Sequence, residues 1–576
     1  MIKPRKSLEN LKPYEVPLFA EEWDVKIDSN ENLYGPSERV IEAIRNVTQD
    51  DIQYYPYYGE LTQKIADFIG VDANSVKVTN GADEAISGVL QTYMDENDII
   101  ITTNPTFTMP LIYTNILGGK VVQVQYKEKW VFPVSDFVEA IKSQNAKIVY
   151  ISTPNNPTGD CVLESDIKAV LEVSKDKVVI IDETYGNYCG SNYSRFVKDY
   201  DNVFVVKSFS KDFALAGLRL GYIVSNEQNI KLVKGVISPY SVNNIAVIAG
   251  IAALSDYEYF KQIKEKINVA KDSLASLFKA LGCVVYPSGG NFLFCNFAEK
   301  AEFIYQKLLQ NKISVKNFSK VKGLEGCLRV AIPRIEEVKK LENALKIKST
   351  LVFDMDGVLL NATQSYRVAI QKTFEYFAGK KLDASEIQEV KNQGGYNNDW
   401  YLTEYLLNKH GHKVSRDDVI TKFQELYWDN GNGLINNEDF LMDKEILKEL
   451  SQSFNLAIFT GRVRQEAIYT LEKSEVLKYF YPIITMHDLP EDKQKPDTLG
   501  LEKIKDAIIT DKMYYFGDTV DDVKCAANAN VISIGVLPPQ DKSDELIENL
   551  KNHGANAVLN SINDVKTILE NDYAIF

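Results

Sequence analysis

Short apolar runs alternate with segments of helical spacing over residues 60–225. The runs "KIVYIST", "KVVIIDE" and "NVFVVKS" are rich in β-branched residues, and each ends in polar residues. The segments between them have the apolar spacing that is typical of amphipathic helices. This alternation predicts a parallel sheet whose strands are joined by crossover helices, so the fold class is α/β.

A second α/β region begins near residue 348. Residues 245–347 first give helices and a few strands, such as "CVVYP" and "GCLRVAI", which indicate a smaller α+β domain. The run "STLVFD" then opens a new series of strands that continues with "NLAIFTG", "YPIITM", "MYYFGD" and "NVISIGV". We therefore predict two parts, 1–347 and 348–576, with almost no linker and a helical insert at about 361–450.

Composition narrows the class of partner. The 576 residues carry a formal net charge of −15, which argues against nucleic acid or an anionic membrane as the main partner. No apolar run reaches the roughly 18 residues that a membrane span needs. Six cysteines without a CxxC pair, together with four histidines, give no readable zinc site. Few cysteines and no secretory leader lead us to expect a cytoplasmic protein.

Four segments of the first part carry candidate chemistry. They are "TNGADEAI" (79–86), "PNNPTG" (154–159), "DETY" (182–185) and "SFSKDFALAGLR" (208–219). All four follow predicted strands, and three lie at the carboxyl ends of strands, where open parallel sheets bind ligands. The residue types suit pyridoxal 5'-phosphate (PLP), which needs a lysine, an acid and a phosphate cradle.

Each part of PLP has a candidate partner. Lys211 supplies the amine that bonds to the cofactor aldehyde, and Asp182 supplies a carboxylate for the pyridinium nitrogen. Phe107 is expected to stack on the ring, and Asn156 and Tyr185 to contact its phenolic oxygen. The phosphate needs hydroxyls, N–H groups at a helix start and a guanidinium. These are assigned to Ser208, Ser210, Gly81, Ala82, Asp83 and Arg219.

With these motifs, residues 1–347 resemble the fold type I aminotransferases, and among them the histidinol-phosphate aminotransferase family. The segments "LKPYEVP", "DSNENLYGPS", "PSGGNFLF" and "LEGCLRV" match that family as well. The resemblance implies a large and a small domain, glutamate as amino donor, and a homodimer in which Tyr55 reaches the neighbour's cofactor phosphate. It also implies substrate contacts from Tyr14 and Arg329.

One position departs from this family pattern. Where relatives usually carry arginine in an "xxVRD" segment, this chain has "ISVKNFS", so Lys316 takes that place in the substrate site. Lysine keeps the charge but loses the bidentate fork. The related phosphothreonine decarboxylases share most of these motifs and also accept a phosphorylated amino compound, so the substrate stays open.

Paired carboxylates mark the second part, in "LVFDMDGVLL". Asp354 and Asp356 lie two residues apart in extended chain, so their side chains point to the same side. They would repel each other unless a cation or a proton lies between them. Further polar residues follow later strands, in "IFTGR", "QKPD" and "YYFGDTVDD": Thr460, Lys495, Asp518 and Asp522.

This set suits phosphoryl transfer. Asp354 is the candidate nucleophile, and Asp356 is the candidate acid and base. Thr460 and Lys495 are expected to hold the phosphoryl oxygens. Mg²⁺ prefers oxygen ligands and keeps several waters. We assign it to Asp354, Asp356 (through its backbone carbonyl), Asp518 and Asp522.

These motifs give 348–576 a resemblance to the haloacid dehalogenase-like phosphatases. The resemblance implies a Rossmann-like domain, and the helical insert is similar to the α-helical cap that covers the site and selects the substrate. Within it, "NQGGYNNDW" (392–400) is either a substrate loop or a helix–helix turn. The histidinol phosphatases of this superfamily usually lack so large a cap.

The two chemistries are consecutive if the substrate is a phosphorylated amine. The leading hypothesis is a bifunctional enzyme of histidine biosynthesis. It would transaminate imidazole acetol phosphate with glutamate and then hydrolyse histidinol phosphate to histidinol. The alternatives are an aminotransferase or decarboxylase with a phosphatase for another phosphorylated amino compound, or a phosphatase-like domain that only binds a ligand and regulates the first.

Overall fold

The computed structural model describes residues 5–8, 22–392 and 398–572. Its internal contacts divide the chain into two units, Met1–Leu345 and Lys346–Phe576. Each unit has hydrophobic clusters of its own, so the two are described separately.

The first unit is built around a seven-stranded sheet in the described residues. In spatial order its strands are Val76–Thr79, Gly221–Val224, Val203–Ser208, Val178–Asp182, Ile148–Ser152, Ile99–Asn104 and Lys120–Gln125. Gly221–Val224 runs antiparallel to both neighbours, and the other pairs are parallel. The central strands are buried throughout, because the chain between them returns as helices that cover the sheet.

A smaller antiparallel sheet completes this unit. Its order is Lys316–Asn317, Cys327–Ala331, Phe292–Asn296 and Val284–Val285, and a separate parallel pair joins Val25–Lys26 to Ile313–Ser314. The α-helices of the unit are Glu38–Arg45, Gln49–Gln53, Gly59–Ile69, Gly81–Tyr93, Met109–Leu117, Val134–Ser143, Glu164–Val173, Gly186–Cys189, Glu227–Lys234, Asn244–Leu254, Tyr257–Ala280, Ala301–Gln310 and Ile335–Ala344.

The second unit contains a parallel sheet of six strands within the described range. Their order is Phe480–Ile484, Asn455–Phe459, Thr350–Phe353, Met513–Gly517, Ile532–Val536 and Ala557–Leu559. Its helices outside the insert are Lys444–Ser453, Arg464–Lys473, Leu499–Ala507, Val520–Asn528, Asp544–Asn552 and Val565–Asp572. The strand that precedes Asp354 is central, so the carboxyl ends of its two neighbours flank that residue.

The insert forms a helical cap with its own core. Its helices are Tyr366–Ala378, Ala384–Asn392, Asp399–Lys409 and Arg416–Tyr427. Two short strands, Leu360–Asn361 and Asp439–Phe440, pair antiparallel where the chain leaves and re-enters the sheet domain. The expected range of 361–450 also includes the helix Lys444–Ser453, which packs on the sheet through Leu447 and Leu450. In the described ranges no helix combines the length and apolar character that crossing a membrane requires.

Candidate active sites

The first site is a cavity of about 750 Å³ at the carboxyl edge of the seven-stranded sheet. That volume suits a small-molecule or cofactor site. Twelve residues of the sequence prediction line it: Ala82, Asp83, Phe107, Asn156, Asp182, Tyr185, Ser208, Ser210, Lys211, Arg219, Lys316 and Arg329. Seven separate segments therefore meet in one place; five belong to the part of the chain that builds the seven-stranded sheet, and Lys316 and Arg329 come from the small antiparallel sheet.

Lys211 lies inside this cavity with a perturbed amine. Its Nζ donates to the carbonyl oxygen of Ser29 at 2.8 Å and lies 5.9 Å from the centroid of the Tyr185 ring. Burial, and then the positive charge of Arg329, lower the pKa of Lys211 to about 8. Much more of the amine is therefore neutral near pH 7–8 than in an ordinary lysine, and the neutral amine is the form that bonds to an aldehyde.

Asp182 ends its strand with both carboxylate oxygens engaged. It accepts a hydrogen bond from the hydroxyl of Tyr150 at 2.7 Å and one from the backbone N–H of Thr184 at 2.9 Å. Burial raises its pKa above the usual range. A pyridinium nitrogen would supply the positive charge that favours the ionised form, so this acid fits the ring nitrogen of PLP.

The turn that we predict to hold the cofactor phosphate is close-packed and lies at the start of the helix Gly81–Tyr93. Gly81 has φ +76°, and a Cβ there would lie 2.8 Å from Arg219 Nη2. A Cβ on Gly221 would lie 2.8 Å from the backbone nitrogen of Ala82. Arg219 Nη2 also lies 2.8 Å from Asp83 Oδ2. A guanidinium beside the first N–H groups of a helix fits a phosphate.

The far side of the cavity holds the remaining polar contacts. Asn30 donates to the hydroxyl of Tyr185 at 3.0 Å, and Arg329 Nη1 donates to Asn156 Oδ1 at 2.6 Å. Asn30 is buried and was missed by the sequence prediction, although "DSNENLYGPS" contains it. The signal was an asparagine two residues before a second asparagine, Asn32, in a turn, which sequence reasoning assigns to the turn itself.

Lys316 and Arg329 form a cationic pair on neighbouring strands. They lie directly opposite each other in the antiparallel pair Lys316–Asn317 and Cys327–Ala331, and both line the cavity. Like charges opposite each other destabilise a sheet. An anionic group of a ligand between them would be attracted to both cations and would offset their mutual repulsion.

Two predicted residues lie elsewhere. Tyr55 is 78% exposed, stacks on Tyr240 with centroids 4.3 Å apart, and is absent from the cavity lining. Its role was assigned to a neighbour's site, so its exposure leaves that prediction open. Tyr14 lies outside the described residues.

The second site lies at the carboxyl ends of the central strands of the six-stranded sheet. Asp354 follows the strand Thr350–Phe353, and its N–H donates to the carbonyl oxygen of Phe516 at 2.9 Å. Lys495 Nζ lies 2.8 Å from Asp354 Oδ1 and 2.7 Å from Asp522 Oδ1. A buried ammonium thus bridges two buried carboxylates. Its positive charge could also bind an oxygen of a phosphoryl group.

Three carboxylates of this site could hold a metal ion. Ligand oxygens of Asp354, Asp518 and Asp522 all lie within 4.8 Å of one another. Burial raises the pKa of Asp354 to about 7, with Lys495 opposing the shift and Asp522 adding to it. Carboxylates crowded in this way fit a divalent cation, which favours their ionised forms. The cluster therefore suits Mg²⁺.

Gly357 keeps the space around this cluster open. Its φ is +76°, and a Cβ there would lie 2.1 Å from Asp518 Oδ2. Asp522 is more fully engaged than the other acids, because it accepts hydrogen bonds from Tyr515 and Thr519. Burial opposes its ionisation, but Lys495 and these hydrogen bonds outweigh it and hold the pKa of Asp522 below its usual range.

Thr460 is buried at the end of the neighbouring strand. Its Oγ1 accepts the backbone N–H of Arg462 at 3.2 Å. The cavity of this site is lined by Asp354, Asp356, Asp518, residues of the cap and loops of the sheet domain. The side chains of Thr460, Lys495 and Asp522 are buried beside these residues and do not belong to that lining.

Asp356 has a partner that the sequence prediction missed. Arg462 Nε donates to its two oxygens at 3.1 and 3.0 Å, and Arg462 Nη2 donates to Oδ1. The only sequence signal was the arginine of "IFTGR", which looks like an ordinary residue after a strand.

These two sites define a PLP-dependent aminotransferase of fold type I followed by a haloacid dehalogenase-like phosphatase. The family described as "Aminotransferase class I and II" matches residues 24–346, and "Haloacid dehalogenase-like hydrolase" matches residues 351–536. The chain belongs to the class I and II aminotransferase family and carries a haloacid dehalogenase-like hydrolase domain after it.

Two relatives of the first unit carry the same name. The chain is 32% identical over 349 residues to a histidinol-phosphate aminotransferase of Thermoanaerobacter sp. (strain X514), which is 59% of this chain and 97% of that protein. It is 31% identical over 347 residues to the one of Clostridium acetobutylicum, covering 59% and 96%.

Two solved structures share the fold of the first unit. One is histidinol-phosphate aminotransferase from Sinorhizobium meliloti in complex with pyridoxal-5'-phosphate, with a TM-score of 0.55, 21% identity and coverage of 59% of this chain and 96% of that one. The other is L-threonine-O-3-phosphate decarboxylase from Porphyromonas gingivalis, with a TM-score of 0.50, 24% identity and coverage of 56% and 98%. At these identities the likeness concerns the fold alone.

Proposed function

We propose that the protein is a bifunctional enzyme of histidine biosynthesis. The first unit transaminates imidazole acetol phosphate with glutamate, and the second hydrolyses histidinol phosphate to histidinol and phosphate. The observation that carries this proposal is that one chain holds both a lysine–acid–phosphate cradle and a carboxylate–lysine phosphoryl site. The names of its relatives support the substrate.

In the first site, Lys211 Nζ is the group that moves protons. Bound PLP would supply the electron sink for negative charge on the substrate's α-carbon. Lys211, neutral at a lowered pKa, accepts the proton from the α-carbon of glutamate and delivers a proton to the corresponding carbon of the new amine. Asp182 holds the ring nitrogen, while Lys316 and Arg329 orient the anionic groups of the substrates.

In the second site, the carboxylate of Asp354 attacks the phosphorus. Asp356 protonates the leaving oxygen and then takes a proton from the attacking water. Lys495 and Thr460 hold the phosphoryl oxygens. Bound Mg²⁺, held by Asp354, Asp518 and the Asp356 carbonyl, would offset charge on the phosphoryl group.

Asp522 and Tyr55 do not line the two cavities, and their roles follow from other contacts. Asp522 already accepts from four donor groups on Lys495, Tyr515 and Thr519, so we assign it to anchoring Lys495 and to the metal through water. Tyr55 lies among other exposed apolar residues, Ile52, Tyr54, Tyr57 and Tyr240. Such a patch favours burial in a homodimer, in which Tyr55 would reach the partner's cofactor phosphate.

A second candidate keeps both chemistries and changes the substrate. Lys316 in place of the usual arginine, together with the large helical cap, favours a different phosphorylated amino compound. The relevant comparison is therefore a panel of phosphorylated amines and their ketones.

The two activities are tested separately on the full chain. The Asp354→Asn variant should release no phosphate from histidinol phosphate and should still form 2-oxoglutarate from glutamate and imidazole acetol phosphate. The Lys211→Ala variant should do the reverse and should lose the absorbance of covalently bound cofactor. Wild-type protein that carries out neither half-reaction would refute the proposal, and activity on another member of the panel would favour the second candidate.

A further inference from the structure

Arg462 is a buried arginine between two carboxylates of the second unit. Its side chain is 1% exposed. One edge of the guanidinium carries the bonds to Asp356 described above. The other edge binds Glu438, with Nη1 to Oε2 at 2.8 Å and Nη2 to Oε1 at 2.9 Å. A single planar cation thus fixes Asp356 and Glu438 relative to each other.

Glu438 lies at the base of the cap. It directly precedes the strand Asp439–Phe440, by which the chain returns from the cap to the sheet domain. The same carboxylate accepts hydrogen bonds from Ser365 at 2.7 Å and from Tyr427 at 3.0 Å. Ser365 immediately precedes the first cap helix, so Glu438 joins the outgoing and returning linkers of the cap.

Aromatic rings close the network on the cap side. The guanidinium of Arg462 lies 4.9 Å from the centroid of the Tyr366 ring, which stacks on Tyr427 with centroids 4.1 Å apart. The hydroxyl of Tyr366 donates to Glu466 at 2.7 Å. Buried ion pairs of this kind contribute little net stability compared with apolar packing. Their geometry, in contrast, is highly specific.

We propose that Arg462 is a positioning residue for Asp356, and that Glu438 anchors it to both linkers of the cap. This inference rests on the proposed phosphatase function. In the phosphoryl-transfer step, a bond forms between an Asp354 oxygen and phosphorus while the bond from phosphorus to the leaving oxygen breaks. The proton of Asp356 moves to that leaving oxygen. Arg462 sets the direction in which Asp356 presents this proton.

The role predicts a dependence on the leaving group. An alkoxide leaves poorly without a proton, whereas p-nitrophenolate leaves without one, so misdirected acid catalysis affects the first substrate and spares the second. General acid catalysis contributes about 10²–10⁴-fold. The ratio kcat/KM reports phosphoryl transfer to Asp354 and excludes the later hydrolysis step, which both substrates share.

The experiment measures kcat/KM for L-histidinol phosphate and for p-nitrophenyl phosphate on the full chain with Mg²⁺. Arg462→Lys keeps the charge and loses the fork. We expect it to lower the value for histidinol phosphate about 100-fold, within the range of general acid catalysis, and the value for p-nitrophenyl phosphate less than about 5-fold. Glu438→Gln should also lower kcat/KM more for histidinol phosphate than for p-nitrophenyl phosphate, by a smaller factor than Arg462→Lys does.

Arg464→Lys is the matched control. Arg464 lies two residues further on, is largely exposed, and pairs with Asp488 at 2.7 Å, so its replacement should leave the ratio unchanged. Thermal unfolding shows whether each variant is folded, and Glu438→Gln carries the test if Arg462→Lys is not. Equal losses on both substrates, with an active wild type, would overturn the inference alone. A wild type that hydrolyses neither substrate would overturn the proposed phosphatase function together with it.

Discussion

Replacing Gly357 by alanine tests the proposed metal site of the second unit. The added methyl group would meet Asp518 Oδ2 at 2.1 Å, far inside van der Waals contact. Either Asp518 must swing away from Asp354, or the Asp356–Gly357 segment must move. Both responses spread the oxygen ligands that we assign to Mg²⁺.

The expected loss of Mg²⁺ affinity follows from two effects, the backbone strain at residue 357 and the collision with Asp518. An L-residue at the φ of +76° found here costs about 1–2 kcal/mol. If the site relieves only that strain by giving up metal binding, Mg²⁺ affinity falls about 5–30-fold, and displacement of Asp518 adds to this. The first unit contains neither residue, so aminotransferase activity should not change.

The assay follows phosphate release from histidinol phosphate as a function of Mg²⁺ concentration. The concentration for half-maximal rate should rise by at least that factor of about 5 in Gly357→Ala. Gly379→Ala is the matched control, because Gly379 has φ +66° and no atom within 4 Å of an added Cβ. An unchanged Mg²⁺ dependence in Gly357→Ala, or an equal change in Gly379→Ala, would refute the reasoning.

Three further predictions concern the first unit. Cofactor uptake by the apoenzyme, followed by absorbance, should rise with pH through about 8, because Lys211 must lose its proton first; a midpoint near 10.5, the ordinary value, would be contrary. Lys207→Met should lower the free energy of unfolding by about 3–5 kcal/mol in chemical denaturation, since it leaves buried Glu183 unpaired, whereas exposed Lys168→Met should cost less than about 1 kcal/mol. Lys316→Ala should raise KM for the phosphorylated ketone about 10–100-fold, because it removes a charged hydrogen bond of about 1.5–3 kcal/mol. Lys316→Arg keeps the charge and should leave KM near the wild-type value.

Strand ends explain why so much of both sites could be predicted from the sequence. The apolar runs that lead to Asp182, Ser208, Asp354 and Thr460 are all strands with at least one parallel neighbour. Parallel strands bring their carboxyl ends to one edge, so residues far apart in sequence meet there without further information. The fold class and the gathering of the first site follow from this rule.

Contacts that depend on tertiary packing could not be predicted in the same way. The bond from Arg462 to Asp356 spans 106 residues, and Glu438 has no motif around it. The antiparallel strand Gly221–Val224 was also missed, because a short buried run has the same apolar pattern in either direction. The two-residue strands of the cap linkers are too short to give any periodic signal.

The most direct test of the central claim is one reaction mixture in which both proposed activities must act in sequence. Full-length protein, PLP and Mg²⁺ are mixed with imidazole acetol phosphate and ¹⁵N-labelled glutamate, and the products are followed by mass spectrometry. We predict ¹⁵N-labelled histidinol without phosphate, with one inorganic phosphate and one 2-oxoglutarate for each molecule. Labelled histidinol phosphate that accumulates without loss of phosphate, or no transfer of label at all, would contradict the account.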